Sequence, residues 1–264
     1  MSLSLRRHGP WAVVVGAAQG IGAEFCRQLA AYGINLVMVA LEDAELRSLA
    51  RDLEREHGVA TRTVPGDITE PVVLARLDET TAALEVGLLV YNAGLAVLAE
   101  WLATPVERHL AMIEVNVRGP LRLIGRFAPA MAARGRGGVI LLSSMSGLQG
   151  TPLLATYAAT KAFTLNLAES LWAEWRPRGV DVTAVVAGST DTPGYRASAP
   201  RTTRAPMPVR PVVAAALRAL GRRPWVIPGR ANKISGVVLA LLPRRLVIGF
   251  MSRTMHAMYF PSRE

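Results

Sequence analysis

Short runs of aliphatic and β-branched residues alternate along this chain with longer segments whose apolar positions recur every three to four residues. Residues 11–15, 35–40, 60–64, 87–91, 139–143, 181–186 and 225–227 form the short runs and read as strands. Ile21, Phe25 and Leu29, each four apart, mark a helix that ends near Gly33. Leu46, Leu49, Ala50 and Leu53 give the core face of the next. Residues 72–84 follow Pro71 at a first helical position, and long helices are expected within 105–133 and across 153–176. The strand runs are too continuously apolar for a sheet wet on one side. The pattern therefore predicts an α/β fold: one doubly wound, Rossmann-type parallel sheet of about seven strands with helices on both faces.

The periodicity fails after Gly188. Residues 189–211 hold five prolines and four arginines among hydroxyl residues, so a long irregular loop is expected, of the kind that serves as a substrate lid. A short helix at 212–220 follows. A C-terminal helical extension then covers 231–264, with its apolar, Met-rich segments hinged at Pro243. Neither repeat nor linker interrupts the chain, and residues 1–264 read as a single domain.

Composition narrows the function classes. With 264 residues, 51% hydrophobic and 19% charged, the chain has enough apolar surface to fold, which excludes a disordered or collagen-like protein. The lone Cys26 excludes a disulfide scaffold and a cysteine metal cluster. His8, His57, His109 and His256 form no pair at ligand spacing, so no metal is expected. No apolar run approaches the roughly 18 residues of a membrane span, and none precedes Trp11 as a signal peptide would. A cytoplasmic protein is expected, with membrane contact at most peripheral. The net charge of +10 comes almost wholly from arginine, Lys161 and Lys233 being the only lysines. These bases are dispersed and lack interleaved aromatics, which argues against nucleic acid. An anionic cofactor, a CoA-type substrate or an anionic membrane surface suits the sign better.

The candidate chemistry sits where strands end. Gly16-Ala17-Ala18-Gln19-Gly20-Ile21-Gly22 follows the first strand and opens the first helix, a turn that lets backbone approach a pyrophosphate. Gly66-Asp67-Ile68 and Asn92-Ala93-Gly94 follow the third and fourth strands. Asp67 can accept from an adenine amine or cap a helix, and Asn92 can face a ribose or merely hold a turn. Tyr157 and Lys161 stand four apart on one helix face. A phenol of pKa near 10 is a poor base at neutral pH, and a neighbouring ammonium favours its phenolate. Ser144, at the end of the fifth strand, can bond the same oxygen, and Asn116 can hold a water that relays protons to Lys161.

In order and spacing these residues resemble the short-chain dehydrogenase/reductase family, and the resemblance covers residues 10–228. It implies an NAD(P)-dependent oxidoreductase that interconverts a secondary alcohol and a ketone. Ser144 would polarise the carbonyl and Tyr157 transfer the proton. Lys161 would lower the tyrosine pKa and hold a ribose, and Asn116 would sustain a water relay. The implied cofactor contacts are Gly16, Gln19, Gly20, Ile21, Gly22, Leu41, Asp67, Ile68, Asn92, Ala93, Gly94, Tyr157, Lys161, Gly188, Thr190 and Thr192. Gly9-Pro10-Trp11-Ala12, Thr61-Arg62-Thr63 and Tyr157-Ala158-Ala159-Thr160-Lys161-Ala162-Phe163 look like the branch of 17β-hydroxysteroid dehydrogenases and very-long-chain 3-oxoacyl-CoA reductases. A bulky apolar substrate, steroid-like or fatty-acyl, is thus expected, as is a homodimer or homotetramer.

The chain also departs from the family pattern. Val15, Tyr91 and Ala187 replace a usual Thr, Asn and Pro. Ala40 and Leu41 carry neither the Asp typical of NAD binders nor the Arg of many NADP binders. Glu42 and Asp43 beyond them tilt the expectation towards NAD, unless Arg47 or Arg62 folds back towards a phosphate. The tail has three readings: packing on the domain or a subunit, a wall for the substrate pocket, or a helix lying on a membrane surface. A catalytically weak dinucleotide-binding scaffold or sensor is the competing reading of the whole chain.

Overall fold

The computed structural model describes Leu5, residues 7–198 and residues 205–259. Seven strands, β1 (Trp11–Val15), β2 (Asn35–Ala40), β3 (Thr61–Pro65), β4 (Val86–Tyr91), β5 (Gly137–Ser144), β6 (Val180–Ala187) and β7 (Trp225–Val226), form one sheet in the order β3-β2-β1-β4-β5-β6-β7. Every neighbouring pair is parallel. Strand order reverses between β1 and β4, so a crevice opens at the carboxyl ends of these two central strands.

Alternate residues of each strand feed two cores. Val14, Met38, Val90 and Ile140 meet Phe25 and Leu29 of α1 (Gly20–Ala31), Leu46 and Leu53 of α2 (Asp43–His57), and a helix later in the chain on one face. Val13, Val15, Val39 and Leu141 meet Leu77 of α3 (Pro71–Thr81) and two long helices on the other. These fully buried aliphatic side chains each contribute roughly 1.5–3 kcal/mol by leaving water.

One detail of the helices is absent from the pattern. The long helix expected within 105–133 runs unbroken from Val106 to Ala133 but widens into a single π turn (Glu114–Arg118), which divides it into α4 (Val106–Ile113) and α5 (Gly119–Ala133). The α6 helix (Ala155–Trp175) then follows β5 through a 3₁₀ turn at Met145–Leu148. The stretch 189–211 is also less irregular than expected. Thr190 bridges Met207, α7 (Pro193–Ala197) forms a short helix, and α8 (Val209–Ala219) begins three residues before the predicted position. Residues 199–204 of that expected lid lie outside the described residues, as do 260–264 of the tail. The tail forms α9 (Arg230–Leu241) and α10 (Arg244–Tyr259), parted at Pro243 as predicted. Among the described residues no helix is long and apolar enough to cross a membrane.

Candidate active site

The glycine turn is built by close backbone crossing. Gly16 adopts φ +77° and its N–H donates to the carbonyl of Val39 at 2.8 Å, so the turn is anchored on β2. A Cβ on Gly16 would come within 2.9 Å of the Ala93 nitrogen, and one on Gly22 would strike the Gly16 carbonyl. The Asn92 side chain ties the two loops, its Nδ2 donating to the Gly16 oxygen at 2.9 Å. Gln19 precedes α1 but gives it no side-chain cap; its amide donates instead to Glu42 Oε1 at 2.9 Å. The first-turn N–H groups of α1 thus have no side-chain acceptor at the helix end that favours an anion.

Around this turn lies a cavity of about 440 Å³, lined by the glycine loop, Ile21, Leu41, Glu42, Asp67, Ile68, Asn92, Ala93, Gly94, Leu95, Val115 and Thr192 among others. Most of the expected cofactor residues therefore share one crevice. Asp67 also makes an Asx turn, its Oδ1 accepting from the backbone nitrogen and hydroxyl of Thr69, both at 2.8 Å. Thr192 caps α7 by accepting from the Tyr195 nitrogen. Gly188 and Thr190 stand apart from the cavity lining: Asn232 of α9 fills the space against Gly188, and the Thr190 hydroxyl donates to the Gly188 carbonyl. Glu42, whose charge set the expectation of NAD, lines the crevice, as do Leu95, Val115, Pro193 and Gly194, which were not singled out as cofactor contacts. The only signal of these four was position near a strand or helix end.

The second half of the site stands on β5 and α6. Ser144 ends β5, and its Oγ accepts from the hydroxyl of Ser146 at 2.8 Å. With that lone pair used, the Ser144 proton remains free to donate outward. Ser143, one residue earlier, donates to the Lys161 carbonyl at 2.7 Å and seats α6 on the strand. Lys161 is buried, its Nζ donating to the Leu142 carbonyl at 2.7 Å and lying 5.5 Å from the Tyr157 ring centre. Burial without a carboxylate partner pulls its ammonium down to about 8. Burial pushes the Tyr157 phenol above its ordinary value, and hydrogen bonding from Ser144 opposes that rise. The Lys161 ammonium thus stands near the phenol, and Ser144 is the group that opposes burial there.

Asn116 is placed by the π turn. Its Oδ1 accepts from the Leu95 nitrogen at 2.8 Å, while its Nδ2 donates to the Leu95 carbonyl and to Thr160 Oγ1. It therefore brackets the loop after β4 and touches α6 at once. A Cβ on Gly94 would lie 3.3 Å from Lys161 Nζ and 3.6 Å from Asn116 Oδ1, so all three meet at one point of the crevice wall. The tail reaches the neighbourhood but not the crevice. Arg244 donates to the Leu148 carbonyl, and Ile248 lies against Gly150. No residue of α9 or α10 lines the cavity.

A parallel sheet with a glycine turn at its switch point, and a serine, tyrosine and lysine converging beside it, defines a dinucleotide-dependent oxidoreductase architecture. Residues 10–202 match the profile of the short chain dehydrogenase family, and the chain belongs to that family. Among curated relatives, a 7beta-hydroxysteroid dehydrogenase of Collinsella aerofaciens is 34% identical over 87% of this chain and 89% of its own length. A very-long-chain 3-oxoacyl-CoA reductase of Pyricularia oryzae is 36% identical over 68% of this chain and 56% of its own. A solved 7beta-hydroxysteroid dehydrogenase, 33% identical, superposes with a TM-score of 0.88 over 94% of this chain and 99% of its own. A short-chain dehydrogenase from Sphingobium yanoikuyae in complex with NADPH, 31% identical, gives 0.77 over 92% and 96%. Very-long-chain 3-oxoacyl-CoA reductases are among these relatives, as expected from sequence, whereas the hydroxysteroid dehydrogenases among them are 7beta and not 17β enzymes. The scaffold reading finds no support, because these relatives are named dehydrogenases and reductases.

Proposed function

We propose that the chain interconverts a secondary alcohol and a ketone on a bulky apolar molecule, steroid-like or fatty-acyl, using NAD or NADP. The observation that carries this reading is the half-buried Tyr157 phenol beside Ser144, with Lys161 Nζ 5.5 Å from its ring at the edge of the glycine-lined crevice. The crevice residues fit a dinucleotide: Gly16 and Gly22 leave no room for a Cβ, and α1 presents uncapped amides. When bound there, its nicotinamide would give or take the hydride. Ser144 holds the substrate oxygen with the proton its bond from Ser146 leaves free. Tyr157 passes a proton to that oxygen in reduction and takes it back in oxidation. Lys161, the buried cation of the wall, holds the ribose edge, while Asn116 fixes the loop at Leu95 against α6. The relatives named for hydroxysteroids and for very-long-chain oxoacyl groups support the substrate class.

NAD is favoured over NADP. Glu42, steadied by Gln19, puts a carboxylate at the rim where a 2′-phosphate would approach. The two arginines that could offset it are engaged elsewhere, Arg47 with Asp43 at 2.6 Å and Arg62 over the ring of Trp11. Absorbance assays with NADH and NADPH against steroid ketones, 3-oxoacyl thioesters and small ketones test the reaction, and titration gives both dissociation constants. Turnover of a bulky ketone and tighter NADH binding are expected. Binding without turnover across the panel refutes the reaction, and tighter NADPH binding refutes the cofactor preference.

A further inference from the structure

The net charge of this chain is confined to its last part, because the acids stop rather than because the arginines cluster. Residues 192–264 hold 13 of the 30 basic residues and one of the 20 acidic ones, net +12, whereas residues 1–191 are net −2. Within α9 and α10 the bases are Arg230, Lys233, Arg244, Arg245 and Arg253, all exposed, with no acid in either helix. None of the five makes an ion pair with a described residue.

The same helices expose apolar side chains in a helical stripe. On α9, Ile234, Val237, Val238 and Leu241 stand at successive spacings of three, one and three residues and are 65%, 59%, 47% and 80% exposed. On α10, Leu246 and Phe250, four apart, are 62% and 60% exposed. The inward side of α9 is already used: Asn232 sits against Gly188, and Gly236 packs close to Ile227 and Leu148. A helix on a protein surface ordinarily turns polar residues outward. Here the outward face is aliphatic and bordered by cations.

We propose that this outward face of α9 and α10 docks on an anionic lipid bilayer, with the stripe entering the acyl boundary and the five bases meeting lipid phosphates. Apolar side chains flanked by Lys and Arg are the composition that lies in the plane of a membrane interface. At 12 residues, α9 is about 18 Å long at 1.5 Å per residue, too short to span the bilayer and suited to lying on it. A second copy of this chain is the poorer occupant, since a two-fold contact would set these five cations against the same five. Nucleic acid offers phosphates but nothing to cover the aliphatic stripe. The proposal rests on the exposed face alone and goes beyond the proposed reaction.

Flotation of the full chain with vesicles of equal parts phosphatidylglycerol and phosphatidylcholine tests it, beside vesicles of phosphatidylcholine alone. The chain is expected to float with the anionic vesicles, less so at high salt, and weakly or not at all with the neutral ones. The pair Leu241→Asp with Phe250→Asp, and separately Lys233→Glu with Arg245→Glu, should each weaken binding roughly tenfold or more. All these side chains are exposed, so thermal stability, dinucleotide affinity and molar mass in solution should match the parent. Absence of flotation with anionic vesicles at low salt would overturn the proposal, as would flotation indifferent to both variant pairs. A fall in molar mass with Leu241→Asp and Phe250→Asp would also overturn it, and would assign the face to a second copy.

Discussion

Tyr157 and Lys161 are both displaced from their ordinary protonation by burial, and each displacement has a measurable consequence. The raised phenol remains protonated at neutral pH, which suits it to give a proton in ketone reduction. Tyr157→Phe should lower turnover by roughly 10²–10⁴ while leaving the fold intact. Removing the Ser144 hydroxyl takes away the bond that holds the phenol down. Ser144→Ala should therefore move the pH midpoint of kcat/KM for alcohol oxidation, which reports the substrate-free site, upward as well as slow the reaction. No shift, or a downward one, contradicts the pairing. Lys161 behaves oppositely. Its folded value of about 8 lies below the ordinary 10.5, so between those values the unfolded chain binds a proton that the folded chain does not. The wild-type chain should gain stability as pH rises through that window, and below it the buried ammonium carries its full cost. At about 1.4 kcal/mol per unit the cost is about 3 kcal/mol, partly offset by the bond to Leu142. Lys161→Met should then be inactive yet more stable than the parent by roughly 1–2 kcal/mol at neutral pH, less the carbonyl it leaves unpaired. Urea denaturation should show that advantage shrinking towards pH 10; an advantage that grows with pH contradicts the assignment.

At the scale of elements, what the sequence made legible and what it hid separate along a physical line. Strands and helices were readable because each buries a face against the sheet, and burial leaves a period in the chain. The glycine turn, Ser144 and the Tyr157–Lys161 pair were readable because chemistry needs those residue types at strand ends and one helical turn apart. The π turn at Glu114–Arg118 was not. Its purpose is tertiary: it brings Asn116 against Leu95 and Thr160, and nothing in the local periodicity records a partner on another element. Nor could the sequence say that Gly188 packs against Asn232 of the tail. The structural weight on Asn116 is testable. Asn116→Ala leaves the Leu95 N–H and carbonyl unpaired and should cost about 2–6 kcal/mol in urea denaturation, each orphaned group contributing about 1–3. Asn116→Asp keeps the acceptor to Leu95 but sets a buried carboxylate oxygen against the Leu95 carbonyl, so it should be at least as destabilising. A variant to alanine as stable as the parent would leave the π turn without this role.

Across the whole molecule, most exposed large apolar residues of the described chain gather in two regions whose charge differs, and the difference leads us to expect different partners for them. Trp101, Leu102, Val106, Leu110, Ile113 and Leu121 surround α4 and the start of α5. Glu107, Arg108, Glu114, Arg118 and Arg122 share that region, with Glu114 already paired to Arg118 at 2.6 Å. A surface of mixed sign can meet itself across a two-fold axis, because each acid can find a base on the second copy. The face of α9 and α10 carries bases alone, which disfavours such a contact. The arginines that looked dispersed along the chain are thus segregated by what accompanies them. We therefore expect self-association through the 101–121 region, leaving the tail face free. Light scattering on the full chain should give a mass of at least two chains. Leu110→Asp with Leu121→Asp, both at exposed positions, should reduce it towards one chain without lowering thermal stability of the fold itself. Leu241→Asp should leave it unchanged. A parent chain that is monomeric at high concentration, or a mass that responds to Leu241→Asp and not to the α4–α5 pair, would reverse this assignment of the two faces.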